Sequence, residues 1–127
     1  MREVDLIRHF YESAVRSGFP YAADIPDTTA RIKVVDDSGC HGDGKNLLFL
    51  TLSVVEGRLS RPRYECEYCD IMMYVTAELV CQLIDQRPVA ELGMIRDAEI
   101  TAALGGPSRK IIRQVNMALR MLIEALT

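Results

Sequence analysis

Two cysteines stand three residues apart in the stretch RPRYECEYCDIMMY, residues 61 to 74, and another stands in CHGD, residues 40 to 43. Three thiolates with an imidazole or a carboxylate complete a tetrahedral set for zinc, or anchor an iron–sulfur cluster. Cys40, Cys66 and Cys69, with His41 or Asp43, offer that set. Cys69 also falls just ahead of a run that reads as helical. There the positive end of the helix dipole favours thiolate, the form that binds metal or attacks sulfur. Glycines around Cys40 let backbone approach a ligand closely. A single CxxC is a weak signal, since buried cysteine is often small core filler; the CHGD loop is what strengthens it.

These groups meet only if the chain folds them together. EVDLIRHFYESAVRSG repeats apolar residues at helical spacing, Val4, Ile7, Phe10, Tyr11 and Val15, and stops at Gly18. FPYAADIPDTT, with two prolines, reads as a loop. ARIKVVDD alternates and is rich in β-branched residues, which predicts a first strand, and SGCHGDGKN is loop chemistry. LLFLTLSVVEG predicts a second strand turning at Glu56-Gly57. RLSRPRYECEY predicts an antiparallel third, with Pro62 marking an edge or an irregularity. From Asp70, a natural N-cap, DIMMYVTAELVCQLID reads as an apolar helix.

RPVAELG and RDAEITAALGG predict short helical pieces, the second ended by its glycines. PSRKIIRQVNMALRMLIEALT predicts a long closing helix whose stripe of Ile111, Val115, Ala118, Leu119, Leu122 and Leu126 faces the core. Strands followed by a block of helices imply an α+β domain, a three-stranded antiparallel sheet with helices packed on one face. In such a meander the start of strand two and the end of strand three share one end of the sheet. Cys40, His41 and Asp43 are therefore expected near Cys66 and Cys69.

The 127 residues suit a single domain with its own core, spanning 1–127. A net charge of −3 and a pI near 5.4 argue against a nucleic-acid binder that works by phosphate neutralisation. No stretch is long and apolar enough for a bilayer span. MREVDLIRHF carries acids and a histidine, so it does not read as a signal peptide, and a reducing cytoplasm is the expected compartment. Cys81, far along the helix from Cys69, is expected in the core, as are Met72 and Met73. His9 is expected at or near the surface, and Asp36, Asp37, Glu65 and Glu67 in solvent. No nucleophile–base arrangement is visible, so no catalytic set is assigned and an enzyme is not expected.

The same residues resemble a known family, the iron–sulfur cluster assembly scaffolds of the NifU N-terminal/IscU type. LIRHFYESAVRSGF is similar to the family's opening helix, and CHGD to its first cysteine motif, CGD. VEGRLSRPRYECEYC is similar to the segment that brings its second cysteine ahead of a long helix. VAEL and IRDAEITAALGGPSRK are similar to its C-terminal part. The resemblance covers most of the chain and implies a three-stranded sheet with packed helices.

It implies that three cysteines and an aspartate hold a nascent iron–sulfur cluster, iron, or in some members zinc. A cysteine desulfurase and cluster-acceptor proteins are the implied partners. By motif, Asp43 matches the aspartate and Cys69 the second cysteine; either Cys40 or His41 takes the place of the first. The family's third cysteine would begin the last helix, near Ile112 and Arg113, and is absent. Cys66 has no counterpart in the family and stands as a relocated third thiol. The chaperone-recognition segment is reduced to GGPSRK.

Overall fold

A computed structural model describes residues 2–26, 30–36 and 46–127. Helix α1 (Glu3–Arg16) leads into β1 (Ile32–Asp36), β2 (Asn46–Val55) and β3 (Arg58–Glu67). Helix α2 (Ile71–Ile84), a 3₁₀ turn (Val89–Met94), α3 (Asp97–Leu104) and α4 (Arg109–Leu126) follow. The strands form an antiparallel sheet in the order β1-β2-β3. This is the α+β architecture that the hydrophobic periods predict.

Local chemistry accounts for the boundaries. Glu56 and Gly57 both take positive φ, 52° and 77°, as a two-residue hairpin turn between right-twisted strands requires. Thr51 pairs with Arg63 and Ser53 with Ser60, so Arg61 and Pro62 together oppose the single residue Leu52. Proline, lacking an N–H, sits in that bulge where no ladder bond is lost. The Asp70 carboxylate accepts from the Met73 amide (2.9 Å) to cap α2, and the Ser108 hydroxyl accepts from the Ile111 amide (3.2 Å) to cap α4. Gly105, at φ 98°, terminates α3.

Ten of the fourteen residues of α2 are buried, which makes it the central helix, covered by the sheet, α1, α3 and α4. Val34, Leu48, Leu50 and Tyr64 meet it from the sheet. Burial of each such side chain favours folding by about 1.5–3 kcal/mol. Ile111, Val115, Ala118, Leu119 and Leu122 of α4 are buried as the stripe predicts. The first helix is rotated from its expected face. Leu6, Ile7 and Ala14 point inward, whereas Val4 and Val15 are exposed, because Leu6 packs toward Gly106 beyond α3.

Two further expectations are corrected. The segment read as loop after α1 pairs in part with β3: Tyr64 N donates to Tyr21 O (2.9 Å) and Ala23 N to Tyr64 O (2.8 Å), a parallel bridge. Asp36 is not solvated but 4% exposed. Gln114 Nε2 donates to its Oδ2 at 2.6 Å, and Arg113 Nη2 lies 3.7 Å from its Oδ1. Thr76 Oγ1 in turn donates to Gln114 Oε1 at 2.6 Å, and both residues are 0% exposed. A dry polar chain thus joins β1, α4 and α2. Replacing Gln114 by methionine keeps the volume but removes the amide that bonds both Thr76 and Asp36, so Gln114→Met is expected to lower the unfolding free energy by about 2–4 kcal/mol. Urea denaturation measures it, and a loss below about 1 kcal/mol would contradict the stabilising role given to this chain.

Candidate metal centre

The CxxC segment is shaped by a change of backbone at the end of β3. Alternation along the strand puts Tyr64 and Cys66 on the helix-covered face and Glu65 and Glu67 on the other. Cys66 stands opposite Leu48, inside the sheet's end. Tyr68 then takes a left-handed conformation, φ 59°, which turns the chain at once into α2. The reversal carries Cys69 back over the sheet, where its thiol donates to Leu47 O (3.5 Å) and more weakly to Glu67 O (3.8 Å). Both thiols are half-buried and neighbour each other.

Cys40, His41 and Asp43 lie outside the described residues, as does Asp37. The residues flanking that segment are described. Asp36, where β1 ends, pairs with Asn46, where β2 begins. Asn46 Oδ1 accepts from the Asp70 amide at 2.9 Å, so the start of β2 is tied directly to the residue after Cys69. Both flanks of the CHGD segment therefore stand at the end of the sheet that holds the thiol pair. Among the described residues, no three His, Cys, Asp or Glu side chains are grouped to hold a metal. Two adjacent thiols are a chelating arm with the sulfur chemistry that zinc and iron prefer, and further ligands have to come from elsewhere.

The proton balance of the pair is set by its own closeness. Hydrogen bonding with the Cys69 thiol, then burial, then the charge of Cys69 itself and of the nearby Asp70 carboxylate push Cys66 well above the ordinary thiol range. Burial first, and then the two thiols, also raise the Tyr74 phenol. Tyr74 belongs to an aromatic wall with Phe19 and Tyr64, ring centroids 5.9 and 6.5 Å away. A hollow of about 430 Å³ beside this wall is lined by Ala22, Asp24, Tyr64, Glu65, Cys66 and Tyr74 and gives Cys66 an approach from the β3 edge.

The other expected residues fall as follows. Cys81 is fully buried among apolar side chains and His9 is exposed. Met73 is buried and Met72 partly so. Glu65 is half-buried and accepts from the Ile25 amide (3.2 Å), while Glu67 is exposed. Arg113, near the place of the family's third cysteine, reaches toward Asp36 at the same end of the sheet. Asn46, Tyr64 and Tyr74 were not singled out by sequence. The spacing of Tyr64 and Cys66 at i and i+2 was the available signal for one of them.

The closeness of the thiols has a measurable result. With Cys40 replaced by serine, Cys69→Ala removes the leading cause of the Cys66 shift, and the pH midpoint for alkylating Cys66 is expected to fall, while remaining above about 8.5 because burial persists. A midpoint unchanged or raised in the rate-against-pH profile would contradict the pairing.

In sequence, no family model and no curated protein matches the chain. In structure it is similar to the crystal structure of a nitrogen-fixing NifU-like protein (N-terminal) from Brucella abortus. The TM-score is 0.59 at 12% identity, covering 95% of this chain and 89% of that one. The fold is therefore NifU-like over nearly the whole chain.

Proposed function

We propose that this chain is a divergent iron–sulfur cluster assembly scaffold. Iron and sulfide are its cargo, bound by Cys66 and Cys69 together with Cys40 and one of Asp43 or His41. The observation that carries the reading is the thiol pair at a strand end, with both flanks of the CHGD segment at that same end of a NifU-like sheet. Metal binding requires thiolate, and the crowded pair holds the proton of Cys66 tightly; a cation is the natural competitor for that proton. A single oxygen or imidazole ligand beside three sulfurs leaves one weak bond, which suits a cargo that must be released. The chemistry is ligand exchange rather than turnover of a small substrate. A cysteine desulfurase as sulfur source, cluster-accepting proteins and a reducing compartment belong to the same proposal.

A zinc-binding or sulfur-accepting role is favoured by one observation. Arg113, not a thiol, stands at the start of α4 near Asp36. The remaining donors, three thiols with an imidazole or carboxylate, form a closed tetrahedral set that zinc fills without sulfide.

Anaerobic addition of ferrous iron and sulfide is expected to give thiolate-to-iron absorption in the visible range. That absorption should fall at least tenfold in Cys69→Ala and in Cys66→Ala. Stoichiometric zinc in protein purified without added metal, retained through the same treatment, would favour the zinc reading instead. No metal under either condition, with the double Cys66/Cys69 variant as stable as the parent, would leave only a metal-free module of this fold.

A further inference from the structure

The thiol pair can relieve its crowding in a second way besides taking a cation. Register places Cys66 opposite Leu48, and the Cys69 thiol donates to the carbonyl of the preceding residue, Leu47, at 3.5 Å. Both sulfurs are thus held against two consecutive residues of β2. The left-handed turn at Tyr68 brings them together, although one belongs to a strand end and the other stands ahead of a helix. They hydrogen-bond to one another, and both are free thiols. Two thiols in contact need lose only two protons and two electrons to become a bond, and that bond carries neither proton nor charge.

Access is the second requirement, and the described cysteines differ in it. Cys66 lines the hollow of about 430 Å³ at the β3 edge. Cys69 is half-buried and follows Tyr68, which is 76% exposed. Cys81 is 0% exposed, deep within α2. Thiol oxidation selects sites by exposure and by a neighbouring thiol that can resolve the product, and among the described residues only the pair has both.

We propose that Cys66 and Cys69 form a reversible disulfide that closes the site to metal, with a low-molecular-weight disulfide as the oxidant. One protein thiolate attacks a sulfur of that small disulfide and expels one small thiolate, leaving a mixed disulfide. The other protein thiolate then attacks the protein sulfur of the mixed disulfide and expels the second. Two protein thiols are oxidised by two electrons, the small disulfide is reduced to two thiols, and the two protons released by the protein pass to them. Excess small thiol reverses both steps. A disulfide sulfur lacks the thiolate charge that zinc and iron bind, so the oxidised pair is lost as a chelate. The gating of metal rests on the proposed use of the pair as ligands; the formation of the bond does not.

Equilibration in a buffer of mercaptoethanol and its disulfide tests the bond. In the Cys40→Ser/Cys81→Ala chain only Cys66 and Cys69 remain, and counting free thiols reads the oxidised fraction. The equilibrium constant for closure is expected to be roughly tenfold or more larger in the folded chain than in the same chain in concentrated urea, because only the fold holds the sulfurs together. By the thermodynamic cycle, the unfolding equilibrium constant of the oxidised chain must be smaller than that of the reduced chain by the same factor. A folded-state constant equal to or below the unfolded one would overturn the proposal. Peptide mapping of the parent chain, oxidised in the same buffer, guards against damage by the substitutions. The Cys66–Cys69 link must predominate there, and its absence, or a predominant link to Cys40, would be equally decisive.

Zinc affinity of the parent chain, measured against a chromophoric chelator without added thiol, tests the gating. Oxidation is expected to lower it roughly tenfold or more, and reduction to restore it. Equal affinity before and after oxidation would overturn the gating. A reduced chain that takes no zinc would overturn the gating together with the metal reading, whereas the bond itself would still stand on the redox equilibrium.

Discussion

A side-chain amide in a dry interior sets the geometry of the candidate centre. Gln114 has one donor directed at Asp36 and one acceptor taken by Thr76, and all three residues are buried. Breaking either bond would leave part of the buried Gln114 amide unsatisfied, so β1, α4 and α2 have few alternative ways to dock. Asn46 adds a second fixed distance, from the first residue of β2 to the cap of α2. The thiol pair thus stands on a frame held by hydrogen bonds on two sides. The covalent chain alone would leave the strand-to-helix turn at Tyr68 much freer.

That frame explains how two sulfurs can be brought so close. Cys66 is fixed by strand register opposite Leu48, and Cys69 by the reversal at Tyr68 and its contact with Leu47 O. Closeness disfavours two negative charges in the absence of a cation, and the same closeness makes a chelate once a cation arrives. The similarity to a NifU-like domain is one of fold. Within that fold, Cys66 and Cys69 and the Arg113–Asp36 contact stand together at one end of the sheet.

Much of this was legible in the order of residue types. Period-two alternation gave β2 and β3, the switch of period at Asp70 gave α2, and the meander fixed which segments share a sheet end. The face of α1 was not legible, because Val4 and Val15 fit the helical stripe as well as Leu6 and Ala14 do; only the position of Gly106 decides between them. Asp36 was misjudged for a related reason. Its partner Gln114 is 78 positions away, and a buried carboxylate looks like any other acid in sequence. For the candidate centre, the CxxC half was readable and is placed, while Cys40, His41 and Asp43 lie outside the described residues.

The outer margin of β3 is sealed twice. Tyr21 and Ala23 clasp Tyr64 from one side, and Gln86 and Arg87 exchange backbone bonds with Leu59 farther along. Neither stitch belongs to a regular strand, yet together they occupy main-chain groups that would otherwise invite a neighbouring molecule to add itself to the sheet. A proteolytic nick that released residues 19 to 25 would uncover those groups, turning a protected border into one open to strand addition.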